Sequence, residues 1–273
     1  MPSLTLTTLA ERSDLADRWD DFPGAWPEFL FHDAVAEALY AGLVAAHPDL
    51  CVLALEEGEP DRPVGKGCAL PFTPGDGALP ATGYDAVLLG AAADRLAGRR
   101  GTRISAVEIV VRADRRGRGL SAGLLDALRR VAARRGYREL LAPVRPTGKH
   151  LVPEEPMGTY AHRTRPDGLP ADPWLRTHVR AGGVLREVAP CSMTVTGTLA
   201  QWRAWTGLPF DAPGAVTVPG ALVPVHCVPD EDRAVYVEPN VWLTHSVPGS
   251  NAVGGSPVLR VSRPTTLGGT IDE

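Results

Sequence analysis

The segment 116–121 carries the residues of this sequence that are best suited to bind an anion. It reads Arg-Gly-Arg-Gly-Leu-Ser and stands between an apolar run at 104–111 and a helical pattern at 120–135. A glycine-rich turn between a strand and a helix gathers backbone N–H groups without helical partners, and the helix dipole adds positive charge. Formal charge comes from Arg115, Arg116 and Arg118. Because Gly117 and Gly119 permit a positive φ and close approach of a ligand, we predict a diphosphate cradle.

The elements around this turn alternate between strands and helices. Strands are predicted at 4–9, 50–55, 63–70, 104–111, 139–144, 184–188 and 192–196, with a hairpin formed by 222–227 and 234–243. Helices are predicted at 32–46, 85–96, 120–135 and 173–180, and Thr198 with Gln201 has capping-box spacing for another. Pro143 cannot donate to a strand ladder, so the strand 139–144 should be unpaired on one side near its end.

Two other phosphate-binding patterns are excluded or disfavoured by the sequence. No run fits the G-x-x-x-x-G-K-[ST] of a Walker loop. Gly117 and Gly119 could begin a dinucleotide fingerprint whose third position holds Ala122, a tolerated variant. The turn, however, comes late in the chain, after several strands that look antiparallel. This order disfavours a doubly wound parallel sheet within an α/β protein.

Composition limits the classes of partner. The 273 residues carry a net charge of −4 and only two lysines, which disfavours a nucleic-acid binder. No apolar run approaches the length of a membrane span, and the expected location is the cytoplasm. The four cysteines lie far apart without C-x-x-C spacing, so neither a metal site nor a disulfide framework is expected. Hydrophobic residues make up 44% of the chain, enough for a substantial core.

The motif that begins at Val111 and continues from Arg116 resembles the acyl-CoA-binding motif of the GNAT superfamily of N-acyltransferases. The family pattern is Arg/Gln-x-x-Gly-x-Gly/Ala, and Arg116, Gly119 and Ser121 occupy its defined positions, with serine in place of glycine or alanine. The resemblance covers about 1–200. It implies a GNAT-like splayed mixed sheet flanked by helices, to which we add a β-rich C-terminal extension at 201–247 and an irregular tail at 248–273.

The resemblance also implies the position of the cosubstrate, acetyl-CoA or another acyl-CoA. Its pantetheine arm would lie where the sheet splays, between the strands 104–111 and 139–144. Its diphosphate would lie on the backbone of the glycine turn. The cofactor-binding residues implied in this way are Val111, Arg116, Gly117, Arg118, Gly119, Leu120, Ser121 and Ala122.

Two side chains are candidates for the chemistry. Glu108 lies within the apolar strand, where it should share a face with Ala106 and Val110, and a buried carboxylate there is a candidate general base. The alternative is a structural glutamate paired with an arginine. His178 replaces the tyrosine by which many family members protonate the leaving thiolate, and it is the candidate acid. The alternative is a packing or surface histidine.

The expected function is transfer of an acyl group, most simply acetyl, from acyl-CoA to the amine of a small molecule by direct attack. The alternative is a non-catalytic acyl-CoA-binding sensor or partner module, which the loss of the family tyrosine motivates. A homodimer is one expectation for the assembly. Lys149, in the loop after the strand 139–144, is expected to be a solvated loop lysine. The proline-rich segment 153–173 is expected to form a lid or an acceptor wall.

Overall fold

The fold was analysed in a computed structural model, which describes residues 4–75 and 77–249. From residue 250 onward, the predicted irregular tail at 248–273 lies outside the described residues. The described strands are β1 Leu4–Thr8, β2 Cys51–Glu56, β3 Gly65–Phe72, β4 Arg103–Val111, β5 Glu139–Val144, β6 Val184–Gly197, β7 Gly214–Val216, β8 Val225–Val228 and β9 Arg233–Ser246. The described helices are α1 Ala34–Ala46, α2 Gly83–Leu96, α3 Leu120–Arg134, α4 Met157–Ala161, α5 Pro173–Arg180 and α6 Leu199–Thr206.

All nine described strands join one sheet in the order β1-β2-β3-β4-β5-β9-β8-β7, and β6 also pairs with β9. The pairs are antiparallel except for β4 with β5, which are parallel. The predicted mixed sheet and the strand-rich C-terminal region are therefore confirmed. Among the described residues, no helix is both long and apolar enough to cross a lipid bilayer.

The sheet separates two hydrophobic cores because successive strand residues point to opposite faces. On one face, Val52 and Ala142 pack with the leucines of α3. On the other face, Leu53 and Leu141 pack with residues of α1 and α2. We call these the α3 face and the α1/α2 face. The α3 helix buries Leu120, Leu124, Leu128 and Val131, which confirms the predicted stripe.

The sheet opens between β4 and β5. Although both are central strands, their only register pair in the described chain is Ser105 with Leu141, near the start of β4. Each strand is paired along its other edge, β4 with β3 and β5 with β9. The edges that face each other toward Val111 and Val144 therefore have free backbone groups, and a ligand can occupy the gap. This is the splay predicted between 104–111 and 139–144.

The strand β9 has the position that sequence reasoning missed. Its C-terminal half lies between β5 and β6, so the last described strand is inserted into the centre of the sheet. The predicted hairpin is present, because β8 pairs antiparallel with the first residues of β9. Opposite Pro239, β6 is irregular between Ala189 and Met193, which lets a residue without an N–H sit within a strand. The proposed boundary at residue 200 stays a prediction, although β9 shares its sheet with β1–β5.

A third cluster ties the chain's beginning to its end. Phe29, in the short 3-10 helix Glu28–His32, packs edge-to-face on Tyr236 of β9, with ring centroids 5.2 Å apart. It also contacts Trp202 of α6, whose predicted capping box is formed by Thr198 and Gln201. This packing holds residues 26–33 against the strands β6 and β9.

Candidate active site

The glycine turn forms an open backbone cradle at the start of α3. Gly117 and Gly119 have φ of 77° and 78°, in the left-handed region that favours glycine, and a Cβ on either would point into open space. No acidic residue stands in the first turn of α3. At this turn, no backbone acceptor is found among the described residues for the N–H groups of Gly117, Arg118, Gly119, Leu120 and Ser121. Together with the helix dipole, these groups have the character of an anion site, and the assignment of the diphosphate to them stays a prediction.

The arginines around the cradle have two different roles. Arg115 was expected to add charge for the ligand, but its guanidinium is bound by Glu56 at 3.0 Å and by Glu59 at 2.8 Å. These ion pairs fix the loop before the turn and leave little net charge on it. Arg116 and Arg118 are exposed at the turn, and they are the guanidinium groups positioned to meet phosphate.

A β-bulge reorients the side chains of β4 at Glu108. The register with β3 shifts so that Cys68 faces Glu108 and Ala69 faces Ala106, which leaves Val107 without a partner on β3. Because of this extra residue, Ala106 packs on the α3 face, whereas Glu108 points to the α1/α2 face. The prediction that Glu108 and Ala106 share a face was therefore wrong, since strict alternation fails across a bulge.

The Glu108 carboxylate lies in a small aromatic pocket that also holds a lysine. Lys66 of β3 approaches Glu108 Oε2 at 3.0 Å. The Tyr40 hydroxyl donates to the same oxygen, and Trp26 Nε1 donates to Oε1 at 3.3 Å. The partner of this carboxylate is thus a lysine and not one of the many arginines. Trp26 is the only described donor to Oε1, so this oxygen can accept a further hydrogen bond.

Lys66 itself is a buried charge, with 3% of its surface exposed. Its ammonium lies 4.8 Å from the ring centroid of Trp19 and 3.1 Å from Asp20 Oδ1. Aromatic faces and carboxylates compensate for the loss of water around the ammonium. Sequence reasoning did not identify Lys66. A lysine in the middle of an otherwise apolar strand was the available signal.

Further carboxyl groups converge on Tyr84, on the same face of the sheet. Burial raises the pKa of the Tyr84 hydroxyl, and the negative charges of Glu108, Asp33 and Asp85 raise it further. Asp33 caps α1 by accepting from the Ala36 N–H at 2.8 Å. It also accepts from Thr194 of β6 at 3.1 Å. We call Asp33, Asp85 and Glu108 the acidic cluster; it contains residues from three separate elements.

Another buried carboxylate, that of Glu238, has hydrogen-bond partners on both of its oxygens. Glu238 of β9 accepts from Arg145 Nε at 2.9 Å, from the Tyr236 hydroxyl at 2.8 Å and from Asn240 Nδ2 at 3.0 Å. Asn240 in turn accepts from Ser192 of β6 at 2.6 Å. This network joins the end of β5 to β9 and β6, and it closes one side of the region near the acidic cluster.

His178 lies in the interior and is paired with another histidine. Its Nδ1 is 2.9 Å from His245 Nε2 of β9, and the ring is 1% exposed. Burial, together with His245, lowers the pKa of His178 to about 3, so both rings are neutral at pH 7. Its Nε2 has no hydrogen-bond partner among the described residues. The catalytic assignment stays a prediction, and this nitrogen is the one that could carry it.

The loop after β5 differs from its expectation. Lys149 is completely buried, and its ammonium donates to the carbonyls of Val152, Pro153 and Leu222 at 2.9, 3.1 and 2.6 Å. The expectation of a solvated lysine was therefore wrong, because three carbonyls converge on this ammonium and replace water. Lys149 holds the segment 153–173 against the C-terminal region.

Among the described residues, no group of three His, Cys, Asp or Glu side chains could hold a metal ion.

Comparison with known proteins gives these features their context. A sequence model of the acetyltransferase (GNAT) family matches residues 15–152. The chain belongs to this family. Among curated proteins, this GNAT chain is 31% identical over 275 residues to the arginine N-acetyltransferase avaD of Aspergillus versicolor, with 90% of this chain and 95% of that protein covered. This GNAT protein is an acyl-CoA-dependent N-acetyltransferase.

A solved structure shares the fold of this GNAT protein. The loading GNATL domain of CurA from Lyngbya majuscula matches with a TM-score of 0.55 at 16% identity, covering 89% of this chain and 98% of that one. The GphF GNAT-like decarboxylase, solved in complex with isobutyryl-CoA, is 16% identical with a TM-score of 0.49. The match covers 89% of this chain and 98% of that one. The cosubstrate of this GNAT protein is acetyl-CoA or another acyl-CoA, and the cradle before α3 has the backbone donors that its diphosphate needs.

Proposed function

We propose that this protein acetylates the amine of a small, positively charged molecule of the arginine class. Acyl transfer to an amine is the activity of its family, and the relative avaD is named for arginine. The observation that carries the proposal is the position of Glu108. Its carboxylate lies on β4 beside the splay, on the α1/α2 face where Tyr40, Tyr84 and Trp26 gather around it.

In the proposed reaction, the neutral amine attacks the thioester carbonyl directly. The C–N bond forms and the C–S bond breaks, so the amine must lose one proton and the thiolate must gain one. Glu108 takes the first proton, directly or through one water, at Oε1. A backbone N–H of the splayed strand β4 polarises the carbonyl. His178 Nε2 supplies the second proton; since the resting ring is neutral, it first takes up the proton that the acceptor's ammonium form loses when it becomes the neutral amine.

Release of free CoA thiol tests this proposal. Purified protein is given acetyl-CoA with arginine, ornithine, agmatine and neutral amines of similar size, and mass spectrometry identifies the product. We expect thiol release with arginine-like acceptors, and a product heavier by one acetyl group on an amine. Binding of CoA without thiol release for any acceptor would contradict the proposal and support the sensor alternative. Release only with neutral amines would retain the transferase and reject the arginine class.

A further inference from the structure

The buried carboxyl groups on the α1/α2 face are not equally compensated. Glu108 has Lys66 as its basic partner, and Glu238 has Arg145. Among the described residues, Asp33 and Asp85 form no ion pair with any lysine, arginine or histidine. Yet Asp33 is fully buried, and Asp85 is only 8% exposed. Burying a carboxyl pair without a positive partner is costly, and proteins seldom retain such a pair without a use.

The two carboxyl groups lie within hydrogen-bonding reach of each other, yet one of their four oxygens has no hydrogen-bond partner among the described residues. Asp33 uses both oxygens for backbone N–H groups, one on α1 and one on β6. Asp85, in the first turn of α2, has its Oδ1 buried without any hydrogen-bond partner among the described residues. An acceptor oxygen left empty inside the protein points to a donor that the chain itself does not supply.

The charge state of the pair agrees with a missing cation. Burial raises the pKa of Asp85 to about 8, and the neighbouring Asp33 adds to the effect. Without a ligand, the pair therefore retains a proton at pH 7. A cation placed between the two carboxyl groups would replace that proton and remove the repulsion between them.

We propose that Asp33 and Asp85 bind the guanidinium group of the acceptor, while its amine is held at Glu108. This inference rests on the proposed function and names the residues that select its substrate class. A guanidinium fits because its planar set of five N–H donors can serve the empty Oδ1 of Asp85 and the carboxylate of Asp33 together.

Arginine and citrulline make a matched pair of probes because citrulline has the same shape and no positive charge. We expect the wild-type protein to prefer arginine in kcat/KM and in the rise of melting temperature at saturating CoA. Asp85→Asn should reduce the arginine-to-citrulline ratio by about 10- to 100-fold, the range for losing a charged hydrogen bond. Most of the loss should come from a higher KM for arginine, with citrulline little changed.

Two further variants keep the test decisive. Asp94→Asn is the matched control, because Asp94 is a buried acid on the same helix whose partner is Arg99, away from the cluster. It should leave the ratio unchanged. Asp33→Ser is the second test, since serine can still cap α1 while the charge is lost. It should lower the ratio as Asp85→Asn does, and it serves if Asp85→Asn does not fold.

The outcomes separate this inference from the proposed function. If the wild-type protein acetylates arginine and a folded Asp85→Asn or Asp33→Ser variant keeps the wild-type ratio, the guanidinium site is rejected and the function stands. If arginine raises the melting temperature more than citrulline, Asp85→Asn removes that difference and arginine is not acetylated, the site stands and the function is rejected. If the wild-type protein neither acetylates arginine nor distinguishes it from citrulline, both are rejected.

Discussion

The predicted cofactor cradle and the proposed acceptor face, which is the part of the α1/α2 face around Asp33, Asp85 and Glu108, are built from different kinds of group. The cradle uses consecutive backbone N–H groups at the start of α3, and its glycines present no side chain to the ligand. The acceptor face uses side chains brought together from β4, α1, α2, β6 and β9. A backbone site can bind the same diphosphate in many proteins, whereas a side-chain site can be changed to suit each acceptor. Variants at the two ends should therefore affect different kinetic constants.

The largest effect is expected from Glu108→Gln on the acceptor face. Losing a general base costs about 100- to 10,000-fold, so kcat should fall by at least 100-fold while the KM for acetyl-CoA changes little. The variant also leaves Lys66 buried beside an uncharged partner, which lowers stability. Steady-state kinetics and thermal melts measure the two effects.

A double variant separates the two causes of that loss. Glu108→Gln with Lys66→Met removes both charges, so it should recover much of the melting temperature. If Glu108 is the base, turnover stays low. Turnover that returns together with stability would show that Glu108 has only a structural role.

The next effect concerns His178, the candidate acid. His178→Gln and His245→Gln both break the same buried pair, so both should lower stability by about 1–3 kcal/mol. If His178 protonates the thiolate, only His178→Gln should reduce kcat, by about 100-fold. Equal kcat in the two folded variants would assign His178 to packing, and thiol release with thermal melts decides between these results.

A smaller effect is expected at the cradle. Gly119→Val introduces a β-branched residue at a φ of 78°, and this conformation costs about 1–2 kcal/mol. The turn should relax and lose N–H contacts to the diphosphate, which raises the KM for acetyl-CoA about tenfold with kcat for the acceptor unchanged. Gly123→Ala is the control, because a Cβ there would touch only Leu6, at 4.0 Å. A loss of kcat at unchanged KM would contradict the separation of the two ends.

The same contrast explains what the sequence could predict. The cradle is encoded by neighbouring residues, so a local pattern was enough to find it, together with the strand and helix on either side. The insertion of β9 between β5 and β6 depends on packing between distant segments, and no local pattern records it. The prediction that Ala106 and Glu108 share a face was wrong because one bulged residue reverses the alternation of a strand.

Asp33, Asp85 and Lys66 were not predicted as parts of a site. Each has only a weak local signal in the sequence, and that signal has an ordinary structural explanation. Asp33 precedes a helix, where an aspartate is expected as a cap, and it does cap α1. Asp85 stands in a first helical turn, where acidic residues are common. Lys66 could have been noticed in its apolar strand, but its partners, Asp20 and Glu108, lie far away in sequence. Only the folded chain brings these charges together.

The smallest effect is the pH dependence of stability, to which the buried His178–His245 pair and the buried Asp85 contribute. The pKa of His178 is lowered to about 3 and that of His245 to about 4, first of all by burial. The unfolded chain therefore binds more protons than the folded one below about pH 6.5, and stability falls as the pH decreases toward 4. Asp85 acts in the opposite direction, because its pKa is raised to about 8 and the folded chain binds the extra proton. Its contribution is lost as the pH rises from about 4 to 8.

Thermal melts between pH 4 and pH 9 can separate these contributions. Asp85→Asn should flatten the decrease on the alkaline side and make the acid-side decrease steeper, because between about pH 4 and 6.5 the raised pKa of Asp85 opposes the histidines. His245→Gln should reduce the decrease between pH 6.5 and 5, where the remaining carboxylates contribute little because their ordinary pKa values lie lower. Arginine added to the wild-type protein should also flatten the alkaline decrease, because a guanidinium compensates for the charge that Asp85 acquires. An alkaline decrease unaffected by both Asp85→Asn and arginine would mean that this carboxyl pair neither titrates in this range nor binds the acceptor.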